Sequence, residues 1–257
     1  MLEIIKLDEA LKQDSVYTAL LYCAPGVGKS TAIGLIAEAS EGNTLVLDVD
    51  RTITKTLAKH EVVKDTSKIL IAQIENRGKN SELGIEGTFN SWSKMLRESL
   101  TPDFIKANDI RTIAVDNISE LERCILSDLG SQGKNKGVPA MADYQYMQFQ
   151  LVNSLRYMKN LGVNIIWTAW EVVEQFTHPD GSQYSRLYPK CSAKIVDNIC
   201  GLCDVVGRIF VNKDGAHGVL LEATQNIYAK NQIDSRKACR VEDFVKFKKG
   251  DVEHVES

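Results

Sequence analysis

The chain has 257 residues, of which 44% are hydrophobic and 25% charged, and its formal net charge is −3 at pH 7. That composition suits a globular protein with one sizeable core, and it excludes a chain basic all over, so any nucleic-acid contact would be local to a few loops. No run approaches the roughly 18 apolar residues of a membrane span, and MLEIIKLDEA has no secretory pattern, so cytoplasmic residence without a membrane partner is expected.

In chain order, Val16 to Tyr22 reads as a compact strand and Lys29 to Ala39 as a helix. Further strands are predicted at Thr44 to Asp48, Lys68 to Ile74, Thr112 to Asp116 and Val163 to Thr168, the last after a long helix starting near Ala142. Strands apolar almost throughout, alternating with helices, indicate a mostly parallel sheet covered on both faces. Such sheets bind ligands beyond the carboxyl ends of their strands. After Glu171 a Pro-Asp-Gly turn between β-prone runs predicts a hairpin, and Val205 to Val211 with Gly218 to Ala223 predicts another. The expected organisation is one α/β domain over residues 1–245, a P-loop NTPase core with C-terminal β-hairpin additions, followed by a charged tail at 246–257. The segment 130–137, GSQGKNKG, is read as a flexible loop.

The stretch CAPGVGKST, residues 23–31, lies between a strand and a helix. A phosphate loop works because successive backbone N–H groups and a helix N-terminus converge on an anion. Gly26 and Gly28 supply the special backbone angles, Lys29 reaches the β- and γ-phosphates, and the Ser30 hydroxyl reaches Mg²⁺. Cys23 stands where the usual pattern has its first glycine; it is small enough for that place if the angles there are not glycine-only. Cys23, Ala24, Pro25, Gly26, Val27, Gly28, Lys29, Ser30 and Thr31 thus form the expected cradle for ATP with Mg²⁺. Asp116, at the end of RTIAVD, is the expected metal partner. Asp50, at the end of LVLDVD, is the expected carboxylate for the attacking water, with Glu120 in reserve; the competing reading has Asp50 capping a helix that starts near Thr52.

Six cysteines occur. Cys191, Cys200 and Cys203 with His217 or Cys239 would make a zinc site, but the paired CxxC spacing is missing. Ile199, Cys200 and Cys203 also fit the buried face of a short helix.

Taken together, APGVGKST, LVLDVDR, IAVDNISEL, a Tyr- and Gln-rich helix, IIWTAWE, CDVVGRIF and YAKNQ resemble the phage-encoded RecA-like ATPases of the Sak single-strand annealing group, over roughly residues 16 to 232. The resemblance implies a minimal RecA-like core, host-cytoplasmic if phage-encoded, with Asp50 as the catalytic carboxylate. It places Trp170, flanked by Thr168 and Glu171, where such proteins keep a polar γ-phosphate sensor. It also implies a homo-oligomer, ring or filament, in which Lys230 is offered to a neighbour's nucleotide.

Two segments are candidates for single-stranded DNA: the loop with Lys134 and Lys136, and the hairpin with His178, Tyr184, Arg186, Tyr188 and Lys190. Cations interleaved with aromatics suit single strands, because every base has a face on which a ring can stack. The expected function is an ATP-hydrolysing, DNA-stimulated recombination protein that promotes strand annealing, with a single-stranded DNA-binding protein as a candidate partner. The alternatives are a nucleotide-switched DNA-binding or assembly module with little hydrolysis, and a replication-associated ATPase or helicase loader. Too few residues follow position 223 for the helical lid of a loader.

Overall fold

The computed structural model describes residue 6 and residues 16–59, 62–135 and 137–247. The first strand, β1 (Thr18–Cys23), is buried along its whole length. The loop after it leads into α1 (Lys29–Ala39), then β2 (Asn43–Asp48), α2 (Ile53–Lys59) and β3 (Ile69–Gln73). Next come α3 (Thr88–Lys94), which passes into a π-helical turn at Met95–Ser99, α4 (Pro102–Ala107), β4 (Ile110–Asp116), α5 (Ile118–Gln132) and α6 (Met141–Lys159). The chain continues through β5 (Asn164–Thr177), β6 (Gln183–Pro189), α7 (Ala193–Leu202), β7 (Val205–Val211), β8 (His217–Leu220), β9 (Lys230–Asn231) and β10 (Ala238–Arg240).

Six strands are parallel, in the order β3-β2-β4-β5-β1-β7, and β8 and β10 extend the β7 side antiparallel. Alternate residues of the central strands feed two cores. Leu20, Tyr22, Val115 and Trp167 pack with α5, α6 and α7, whereas Ala19, Leu21, Ala114 and Ile166 pack with α1 and the C-terminal Phe244. The expected α/β class with helices on both faces is therefore observed, and the apolar strand runs are explained by burial on both sides.

Three local readings are corrected. The strand expected to stop at Thr168 runs on to Thr177 as 14 residues, leaving the central sheet to pair with β6 as a hairpin arm. Residues 130–132, assigned to a flexible loop, are the last part of α5, whose backbone continues until Gly133. The region 88–107 holds two helices that periodicity did not reveal, although Thr101 before Pro102 was a readable start: its hydroxyl accepts from Phe104 N. At the other end, Phe247 packs on Tyr17 with ring centroids 4.8 Å apart, two residues into the segment read as a tail; the rest of that tail lies outside the described residues.

Candidate active site

The carboxyl ends of the parallel strands open on a cleft of about 540 Å³. Its floor is the loop between β1 and α1. Gly26 has φ +82° and Gly28 φ +121°, angles that favour glycine. A Cβ on Gly28 would lie 2.5 Å from His217 Nε2, so this residue is required by close approach as well. Cys23 needs no such freedom: it is the last residue of β1, in parallel register with Trp170. Its thiol is pushed up to about 11 by burial, against the pull of Lys29, and stays protonated. The first position of the loop is thus extended strand here, which is why a side chain is tolerated.

The start of α1 delivers three functional side chains. Lys29 is buried at the cleft and makes no hydrogen bond or ion pair among the described residues. Ser30 Oγ donates to Asp116 Oδ2 at 2.7 Å. Thr31 Oγ1 is buried without a partner. Asp116 sits on β4, separated from β1 by the intervening β5. Thr168 on β5 spans that gap, its Oγ1 donating to Asp116 Oδ1 at 2.8 Å. Both oxygens of the buried carboxylate are therefore held.

Asp50, on the far side, lines the same cleft. Its Oδ2 accepts from Asn117 Nδ2 at 2.7 Å, while Oδ1 is buried without a partner. Burial, then the nearby charges of Asp116 and Glu120, push its carboxyl up to about 7, with Lys29 opposing. The capping role weighed for Asp50 falls instead to Asp48, whose Oδ1 accepts from Thr52 N at 3.3 Å. Asp48 is itself raised, by burial and then by Asp116. Glu120 does not line the cleft; it pairs with Arg123 at 3.6 Å and accepts from Cys124 Sγ.

Trp170 stands at the cleft wall, and its backbone N–H donates to Ser119 Oγ at 2.9 Å. Arg123 Cζ and Lys190 Nζ lie 5.5 and 5.7 Å from its ring centroid. The flanking Glu171 does not line the cleft and pairs with Arg208 at 2.6 Å. Of the polar candidates around the sensor position, Thr168 is the one in contact with Asp116.

Other candidates lie apart. Tyr184, Arg186 and Tyr188 share one face of the β5–β6 hairpin with Phe176 and His178. Tyr184 stacks on His178 at 4.3 Å and on Phe176 at 5.5 Å, and Arg186 covers both Tyr184 and Phe176. Tyr188 meets Tyr228 at 4.5 Å. Lys134 is exposed just beyond α5, and Lys136 lies outside the described residues. Lys230 is placed away from the cleft, with its ammonium donating to the carbonyls of Cys200, Gly201 and Cys203. Within this chain it caps the C-terminus of α7, a use of the side chain that sequence reasoning did not foresee.

Cys200, near the end of α7, and Cys203, which caps that helix in an extended conformation, are both buried, so the helical reading holds for Cys200 and stops one residue short of Cys203. His217, considered only for zinc, instead lines the cleft under Gly28. Among the described residues no group of three or more His, Cys, Asp or Glu is arranged to hold a metal ion. Magnesium needs no such cage, since it is usually bound through one or two carboxylates, waters and phosphate oxygens. Ser30 and Asp116 form that kind of donor pair. The unpartnered Lys29 ammonium, the glycine cradle and the unsatisfied Thr31 hydroxyl fit a nucleoside triphosphate. Bound there, the metal would neutralise charge on the terminal phosphates.

A glycine cradle at a helix N-terminus, with its Ser held to an acidic strand end one strand further on, defines a P-loop ATPase. The chain belongs to the AAA domain family, whose model matches residues 15–233. No curated protein matches it in sequence. No described helix is long and apolar enough to cross a membrane.

Proposed function

We propose that this ATPase is stimulated by single-stranded DNA and promotes strand annealing in recombination. The observation that carries the reading is the continuity of β5. Its first half places Thr168 on Asp116 and Trp170 at the cleft; its second half is the hairpin arm with Phe176 opposite Tyr184. One continuous strand thus joins the nucleotide site to a face of stacked rings and an arginine, chemistry suited to unpaired bases. In hydrolysis, Asp50 Oδ1 orients the water and takes its proton as the new P–O bond forms and the bond to the β-phosphate oxygen breaks. Lys29 holds the terminal phosphates throughout. Lys134, exposed just beyond α5, would add a cation, and assembly into a homo-oligomer would line up successive hairpins along one strand of DNA.

The test is steady-state ATP turnover at low salt, with and without single-stranded DNA, on the wild type and Lys29→Ala. Turnover should rise with DNA in the wild type and be lost in Lys29→Ala. An unstimulated wild type that also fails to bind the DNA overturns the DNA reading; a chain that oligomerises on nucleotide without multiple turnover points to the assembly switch instead.

A further inference from the structure

We propose that Asn117 is a positioning residue for Asp50, clamping one carboxylate oxygen so that the other is the one presented to water. The inference rests on the reading of Asp50 as the proton acceptor. Asn117 is fully buried and directly follows β4. Its Oδ1 accepts from Glu120 N at 2.9 Å, which makes it the N-cap of α5. With the acceptor end committed there, the other end of the amide is the donor that meets Asp50 Oδ2 at 2.7 Å. A flipped amide would set N–H against N–H at the helix start and oxygen against oxygen at Asp50, losing both bonds. The helix cap therefore decides which way the clamp faces.

Clamping has a consequence for the carboxylate. Rotation about its terminal torsion is soft, with two nearly equivalent oxygens. Holding Oδ2 stops that rotation and leaves Oδ1, buried and unpartnered, as the single free acceptor. Asn117 itself does not line the cleft, whereas Asp50 does. Its loss should therefore reach the chemical step without reaching nucleotide affinity. Because Asn117 also starts the helix that carries Ser119 and Arg123, the structural and positioning roles must be separated by the choice of variant.

Asn117→Ser keeps a capping oxygen and loses the reach to Asp50; Asn117→Asp keeps the shape and the cap but replaces the donor with an acceptor. Asn117→Ala loses cap and clamp together, and Asp50→Asn is the reference. For each, kcat and KM for ATP, the affinity for a non-hydrolysable ATP analogue and the urea midpoint are measured. The expected result for Asn117→Ser is a kcat lowered about ten- to a hundredfold, with analogue affinity within about twofold and a midpoint lowered only as far as the unpaired Asp50 oxygen requires. Asn117→Asp should be at least as impaired in kcat, and Asn117→Ala, which also loses the cap, should lower the midpoint further. An inactive Asp50→Asn beside an Asn117→Ser of wild-type kcat overturns the clamp alone. Equal losses of kcat and analogue affinity in Asn117→Ser also overturn it, since they mark general disruption. An Asp50→Asn that still turns over overturns the reading of Asp50 beneath it.

Discussion

Ser30 at the first turn of α1 and Asp116 at the end of β4 are joined by a 2.7 Å hydrogen bond although a whole strand, β5, lies between β4 and β1, the strand that leads into α1. Thr168 on that intervening strand makes the arrangement possible by holding the second oxygen of Asp116. Thr168→Val keeps the shape and removes the donor, leaving one oxygen of a buried carboxylate unpaired. The nucleotide-free protein should lose about 1–3 kcal/mol in urea denaturation, and ATP turnover should need a higher magnesium concentration.

Gly28→Ala should abolish tight nucleotide binding. The new methyl group would sit 2.5 Å from His217 Nε2 on a backbone at φ +121°. Trimming the imidazole with His217→Ala relieves the clash but not the backbone strain, so the double variant should recover only part of the affinity. Titration with a fluorescent ATP analogue measures both; full recovery would contradict the backbone argument.

Asp50 should make the nucleotide-free protein pH-sensitive. Burial, then the charge of Asp116, push its carboxyl in the folded chain up to about 7, well above the ordinary carboxylate range. A raised carboxyl contributes stability that is complete below its unfolded value and is lost as pH rises through about 7. Asp50→Asn, neutral throughout, should therefore be more stable than the wild type at pH 8, by about 1–2 kcal/mol once solvent screening is discounted. The gap should narrow on acidification to pH 5. Urea unfolding at the two pH values checks the sign.

Arg208→Ala should destabilise the strand ends behind the phosphate loop. Glu171 keeps a side chain only 9% exposed and would lose its partner at 2.6 Å. The cost should be about 2–3 kcal/mol, mostly from the uncompensated carboxylate, so Glu171→Gln in the same chain should restore most of it. A double-mutant cycle in urea reads the coupling.

Tyr184→Ala tests the hairpin. The ring is stacked between His178 and Phe176 and partly open to solvent. If bases stack on this face, single-stranded DNA affinity should drop by about 1–3 kcal/mol with ATP turnover in the absence of DNA unchanged. Arg186→Ala should also weaken binding and flatten its salt dependence. Fluorescence anisotropy across a salt series measures both.

The legible parts of this chain are those in which cause and effect lie close together. The run Cys23 to Thr31 showed the cradle because strand, turn and helix start are consecutive, and glycine marks the backbone angles a turn needs. Asp116 was legible as the end of an apolar run. Other parts had a signal that pointed elsewhere: Asp48 and Asp50 are two residues apart on the same strand end, and alternation alone does not say which caps Thr52 and which lines the cleft. The resemblance offered Lys230 to a neighbour's nucleotide, and its hydrogen bonds to the carbonyls at the end of α7 join residues 27 to 30 positions apart that no local pattern links.

The amino-acid order by itself determined the α/β layering, the phosphate loop and its P-loop ATPase class, because burial periodicity and backbone preference act over a few neighbouring residues. Only the tertiary structure decided that Thr168 spans to Asp116, that Asn117 grips Asp50 from 67 positions away, and that His217 lies beneath Gly28. Those pairings follow from the order of strands in the sheet, which arises from the packing of both faces at once and leaves no mark in any single stretch of chain.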